Sequence, residues 1–217
     1  MSEPAPSAPE RGLETSKVGH RLRTERERVG IGLRELARRV GVSPSLVSQI
    51  ELDRVNPSVS TLYAIVTELG MTMSDVFDEQ PEQRLVQRGD GLAERPETRQ
   101  VINLASGVRW ERLTPVRDRD VEFLFVVYPV GAASCPEDAL VTHGGREYGY
   151  VSSGTLGVQV GFEMYELGPG GSIAFDSSSP HRLWTIGREP VHAIWVVIGR
   201  EADPRSGTDP PPPAEDE

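Results

Sequence analysis

Ser45, Ser48 and Gln49 stand three and four residues apart, the spacing that gathers side chains on one face of a helix. All three are polar, uncharged and compact, and all carry hydrogen-bond donors and acceptors. The Gln49 amide can pair bidentately with the N6 and N7 edge of adenine, and a helix edge of this kind is what the major groove of DNA admits. Just upstream, Ser43 reads as an N-cap and Pro44 as the first helical residue.

Presenting that edge to a partner requires short helices with their opposite faces buried. From Val18 to about Phe77 the apolar residues recur with helical spacing. Val18, Leu22 and Val29 mark a first helix ending at Gly30. Leu33, Leu36, Ala37 and Val40 mark a second, closed by Gly41 at a C-terminal cap position. The third turns Val47 and Ile50 inward. The fourth runs from about Ser58 to Leu69, and Asp75, Val76 and Phe77 make a last turn. Helices two and three are joined only by Gly41-Val42-Ser43, with glycine where a sharp turn needs positive φ.

The stretch from Leu33 to Phe77, LRELARRVGVSPSLVSQIELDRVNPSVSTLYAIVTELGMTMSDVF, resembles the Xre/lambda-repressor class of helix-turn-helix domains. The likeness covers nearly all of residues 17–77. It implies that Arg34 to Val40 support the reading helix, which runs from Pro44 to Leu52. It further implies that Ser45, Ser48 and Gln49 contact bases and that Ser43 contacts phosphate. Arg34 and Pro44 join the DNA-binding set, and Arg54, Asn56 and the start of the fourth helix at Ser58 clamp the backbone. Arg26 and Glu51 fall where the class has a buried ion pair that fixes helix packing and reads no base. Two positions depart from the class. The run Glu51-Leu52-Asp53-Arg54 lacks the usual glycine, and Leu33 replaces a common phosphate-contacting Gln or Ser.

Composition bounds the partners. The chain has 217 residues, 23 Lys/Arg against 33 Asp/Glu and a net charge of −10, which argues against coating nucleic acid along its whole length but not against a local site. Residues 16–73 carry nine Lys/Arg against six Asp/Glu, whereas residues 74–200 carry twelve against eighteen. A single Cys135 excludes an intrachain disulfide and suits the reducing cytoplasm. No apolar run approaches the ~18 residues of a membrane span, and the first fifteen residues lack a signal-peptide core. Residues 1–15 and the Pro-rich acidic tail 201–217 read as disordered, and 78–97 as a linker. Arginine outnumbers lysine 22 to 1, a hint of a GC-rich bacterial genome.

Beyond the linker the period changes to two. Residues 107–113, 121–130, 148–152, 156–160, 173–175, 181–186 and 191–198 are β-rich and separated by Gly, Pro, Asp and Ser. About ten antiparallel strands in this half suggest a sandwich or small barrel. Within it, His143-Gly-Gly-Arg-Glu147, Gly154, Gly168-Pro-Gly-Gly and Pro180-His181 resemble the two motifs of cupins over about residues 104–199. The resemblance implies three ligands, His143, Glu147 and His181, pointing into the barrel and marking an effector pocket. Such a set suits a divalent metal (iron, zinc or nickel). Val141 occupies the first histidine position and cannot bind metal, so the plainer reading is a barrel that has lost its metal, with the three as pocket residues. Trp110, Phe123, Phe125 and Trp195 read as core, His20 and His192 as structural. Cys135 has no cationic cluster beside it in sequence to make its thiol reactive.

The expectation is therefore an α + β chain of two domains. Residues 16–77 form a five-helix lambda-repressor-like bundle, and residues 98–200 a cupin (double-stranded β-helix) barrel. The resemblances imply a bacterial, cytoplasmic, sequence-specific transcriptional regulator, not an enzyme. Its barrel takes a small-molecule effector and mediates homodimerisation on a palindromic duplex operator. The alternative is a non-haem iron-dependent cupin enzyme of the epoxidase type with an accessory helical domain.

Overall fold

The computed structural model describes residues 17–77, 92–115, 118 and 120–199. The expected disordered ends and most of the expected linker lie outside these residues.

Five helices form the N-terminal domain: α1 (Val18–Arg28), α2 (Leu33–Arg39), α3 (Pro44–Glu51), α4 (Val59–Glu68) and α5 (Met73–Phe77). Local chemistry sets the starts of α3 and α4. The Ser43 hydroxyl accepts the Leu46 N–H at 3.1 Å and the Ser58 hydroxyl the Thr61 N–H at 3.1 Å, caps worth about 1 kcal/mol each. Gly41 takes φ +73° between α2 and α3. Leu22, Leu36, Val47, Ile50, Leu62 and Ile65 are almost wholly buried together. The Arg26 guanidinium forks onto Glu51, Nε to Oε1 at 2.6 Å and Nη2 to Oε2 at 2.9 Å, and both residues are buried. This pair ties α1 to α3, as the sequence suggested. Asp53 stands where glycine is usual and adopts φ +53°. Its carboxylate accepts the Gly19 N–H of α1 at 2.7 Å, and aspartate is one of the few residues besides glycine that visits the left-handed region.

The second domain consists of two antiparallel sheets. The strands are β1 (Val101–Asn103), β2 (Arg109–Arg112), β3 (Val121–Tyr128), β4 (Arg146–Ser153), β5 (Thr155–Val160), β6 (Glu163–Leu167), β7 (Ser172–Asp176), β8 (His181–Ile186) and β9 (Val191–Ile198). The large sheet has the order β1-β2-β3-β9-β4-β7 and the small one β6-β5-β8. Burial alternates along β3, β8 and β9, the period-two pattern of a strand with one face inward. Two of the nine strands among the described residues, β1 and β6, had no counterpart in the sequence reading. The three residues of β1 are too few to show a period, and β6 is largely exposed, so neither carries an alternating signal.

The domains touch. The Ala105 N–H donates to the Pro57 carbonyl at 2.8 Å. Tyr63 of α4 is buried against the barrel, its ring centroid 5.6 Å from that of Trp110.

Candidate metal centre and nucleic-acid interface

Strand β4 brings Glu147 inward, the turn before it carries His143, and β8 opens on His181. One ligand atom from each lies within 4.8 Å of the others. His143 Nε2 is 2.9 Å and His181 Nε2 3.2 Å from the same oxygen, Glu147 Oε1. The tautomers are fixed from behind. His143 Nδ1 lies 3.0 Å from the Gly144 carbonyl, and His181 Nδ1 2.9 Å from the Ser179 carbonyl. A carbonyl only accepts, so each Nδ1 carries a proton, and a ring without a second proton turns its Nε2 lone pair forward. His143 Nε2 and Glu147 Oε1 are buried without a hydrogen-bond partner despite their proximity. Lone pairs converging on a carboxylate oxygen suit a shared cation, and orphaned buried polar atoms of this kind are costly otherwise. The donor set, two imidazoles and one carboxylate, therefore fits a divalent metal.

The carboxylate is oriented as well as surrounded. The Trp195 Nε1–H donates to Glu147 Oε2 at 2.6 Å. Burial alone would raise the Glu147 pKa; protons on the Nε2 atoms of His143 and His181, standing in for a cation, would outweigh it through hydrogen bonds and charge and hold the carboxyl well below its usual range. Trp195 read as core from sequence. It is buried, yet it also orients the Glu147 carboxylate. The one sequence signal for this was Gly149 on the neighbouring strand: a Cβ there would lie 2.1 Å from the indole. Cys135 is buried, which pushes its thiol pKa up and opposes a reactive role.

The residues expected to meet DNA lie on the helical domain. Ser43, Pro44 and Ser45 are exposed at the start of α3, and Ser48 and Gln49 are half-buried farther along it. Arg54 and Asn56 are exposed in the loop after α3, and Arg34 is exposed on α2. Ser58 is different. Its hydroxyl caps α4 and also meets the hydroxyls of Ser60 at 2.9 Å and Thr61 at 2.8 Å. Among the described residues the ring contacts between the two domains fall on α4, at Tyr63.

A helix-turn-helix family model matches residues 22–76, and a cupin-domain model matches residues 124–197. The chain joins an Xre-type helix-turn-helix domain to a cupin domain. It is 27% identical over 166 residues to the HTH-type transcriptional regulator PuuR of Escherichia coli (strain K12), covering 75% of this chain and 84% of that protein. It is similar in fold to an HTH_3 family transcriptional regulator from Vibrio cholerae, with a TM-score of 0.61, 22% identity, and 86% and 97% of the two chains covered. Hydroxypropylphosphonic acid epoxidase from S. wedmorenis aligns at a TM-score of 0.42 and 19% identity over 86% and 99% of the chains, too loosely to carry an argument.

In the cupin, Val141 pairs with His181 through two backbone hydrogen bonds of 2.9 Å, and it lines the chamber that holds His143, Glu147 and His181. The apolar side chain thus stands beside the cluster where the motif has its first histidine. The helix-turn-helix domain supplies part of the same chamber. Val59 and Tyr63 of α4 line it, and the Tyr63 ring stacks on His143 with centroids 4.5 Å apart and 21° between planes. No sequence signal linked Tyr63 to His143. The two are distant in the chain, and Tyr63 lies among the apolar positions of a helix.

Proposed function

We propose that the chain is a cytoplasmic transcriptional regulator that reads duplex DNA through α3, takes a small-molecule effector in the cupin and acts as a homodimer. The observation that carries this reading is the uncovered polar edge of α3. Ser43 and Ser45 are exposed, Ser48 and Gln49 half-exposed, and no acidic side chain lies between Gly41 and Gln49. In this reading Ser45, Ser48 and Gln49 read bases, while Ser43, Arg34, Arg54 and Asn56 hold phosphates. The 27% identity over 166 residues to an HTH-type transcriptional regulator supports it.

One reading helix covers few base pairs, so two copies must act together. The outer face of the large sheet suits a second copy. Phe123, Tyr148, Tyr150 and Ile198 are exposed there, with Ile194 and Val196 between them in register. An apolar face of this kind marks an interaction site, and a two-fold axis would make it self-complementary.

His143, Glu147 and His181 would hold a divalent metal or, without one, anchor the effector by hydrogen bonds. The same cluster supports a second reading, a non-haem iron enzyme, because two imidazoles and a carboxylate leave coordination positions open. Selection of bound duplexes from a random DNA pool tests the regulator. The expected product is a palindrome with half-sites about one turn, ~34 Å, apart, bound with steep salt dependence. Absence of any enriched sequence, together with oxygen consumption by the iron-loaded protein, would instead favour the enzyme.

A further inference from the structure

The chamber around His143, Glu147 and His181 has about 20 Å³ of space, room for one water or a bare ion. A second hollow of about 530 Å³ lies between α2, α4 and residues 136–142, a volume in the range of small-molecule sites. Tyr63 and Val141 line both spaces. Val141 is pinned by its backbone bonds to His181. The Tyr63 side chain is the part of this partition that a χ1 change can move.

We propose that the Tyr63 ring is a movable wall between the outer groove and the His/Glu/His chamber, so that an organic effector reaches the cluster only by displacing a side chain of the DNA-binding domain. This rests on the reading of the cupin as the effector site. The geometry also limits the effector. An occupant that displaces Tyr63 must cover the faces it leaves, the rings of His143 and Trp110. The groove beyond is edged by the hydroxyl-bearing Ser60, Thr61, Thr67 and Thr142. A planar, largely apolar body with a hydrogen-bonding tail meets both demands.

Displacement would be felt at the DNA-reading edge. Tyr63 lies one turn into α4, whose residues share a core with Val47 and Ile50 of α3. The Tyr63 stack on His143, its contact with Trp110 and the Pro57–Ala105 hydrogen bond tie this domain to the barrel. An effector in place of the ring removes the first two and shifts how the reading helices are held, a population shift with two sites and one moving element.

Carbethoxylation of histidines by diethyl pyrocarbonate, followed site by site by peptide mass spectrometry on chelator-treated full-length protein, tests the wall without DNA or metal. His143 and His181 of the unmodified protein should react at least tenfold more slowly than exposed His20. Tyr63→Ala should raise their rates at least tenfold, and Tyr63→Phe should leave them unchanged. Millimolar p-cresol, the detached side chain, should restore protection in Tyr63→Ala. Tyr63→Leu, which keeps apolar bulk in the helix, serves if the alanine variant does not fold, and should also raise the rates. Equal rates in the unmodified protein and the truncated variants would overturn the proposal, as would protection lost equally in Tyr63→Phe. Failure of DNA selection would reject the regulator reading separately, because labelling does not depend on it.

Discussion

The indole N–H of Trp195 points at Glu147 Oε2 from 2.6 Å, while the other carboxylate oxygen faces both imidazoles. One side chain thus sets the rotation of the only carboxylate in the cluster. Trp195→Phe keeps the ring over Gly149 and removes the donor. The expected outcome is a metal affinity weaker by 10–100-fold, the usual cost of losing a group that orients a ligand, with the fold retained. Competition between the protein and a chromophoric chelator for cobalt(II) or zinc(II) measures it. An unchanged affinity would mean that the carboxylate does not ligate, or that its orientation is set elsewhere.

Val141 offers the complementary test. It lines the chamber and its backbone is paired with that of His181, so a histidine there would stand beside the existing cluster. Val141→His should raise divalent-metal affinity above that of the unmodified protein by adding a fourth donor. In the unmodified protein, chelators should strip metal faster than in the variant. If Val141→His binds no better, the imidazole is not reaching the cluster.

How much of this was legible in the sequence follows from the range of the interactions. The helix limits were readable because caps and turns are local: Ser43, Ser58 and Gly41 act on residues only a few positions away. His143, Glu147 and His181 were readable as a set because their motifs resemble those of cupins, and the fold brings all three together. The roles of Trp195 and Tyr63 were not. Each meets its partner across the fold, and nothing in a strand tryptophan or a helix tyrosine distinguishes a core filler from a ligand-orienting donor or a wall. Strand β6 was missed because it lies mostly exposed and shows no alternation.

The buried Arg26–Glu51 pair ties α1 to α3 in the helical domain. Both residues are at most 9% exposed, and the Arg26 Nη1–H also donates to the Ile31 carbonyl at 3.0 Å. Glu51→Ala would leave the buried guanidinium only its longer, 3.7 Å ion pair to the exposed Glu27, costing up to about 3–5 kcal/mol. Replacing both residues with apolar ones of similar volume should cost far less. Chemical denaturation monitored by circular dichroism checks both. The single substitution should lower the helical transition while the barrel transition stays in place. Equal losses for the single and the double change would assign the stability to packing rather than to charge.

On the proposed regulator reading, substituting Gln49 tests whether the α3 edge reads sequence or only rests on DNA. Its amide can make two hydrogen bonds to adenine, and an alanine can make none. Gln49→Ala should therefore weaken binding to the selected duplex by about 1–3 kcal/mol while changing binding to random duplex much less. Arg54→Ala should behave differently. It should weaken both duplexes alike and flatten the salt dependence by about one counterion, as loss of a phosphate contact does. Titrations of both variants against both duplexes at several salt concentrations separate the two roles. If Gln49→Ala weakens random and selected duplex equally, Gln49 makes no base contact, and sequence must be read by Ser45, Ser48 or the shape of the DNA.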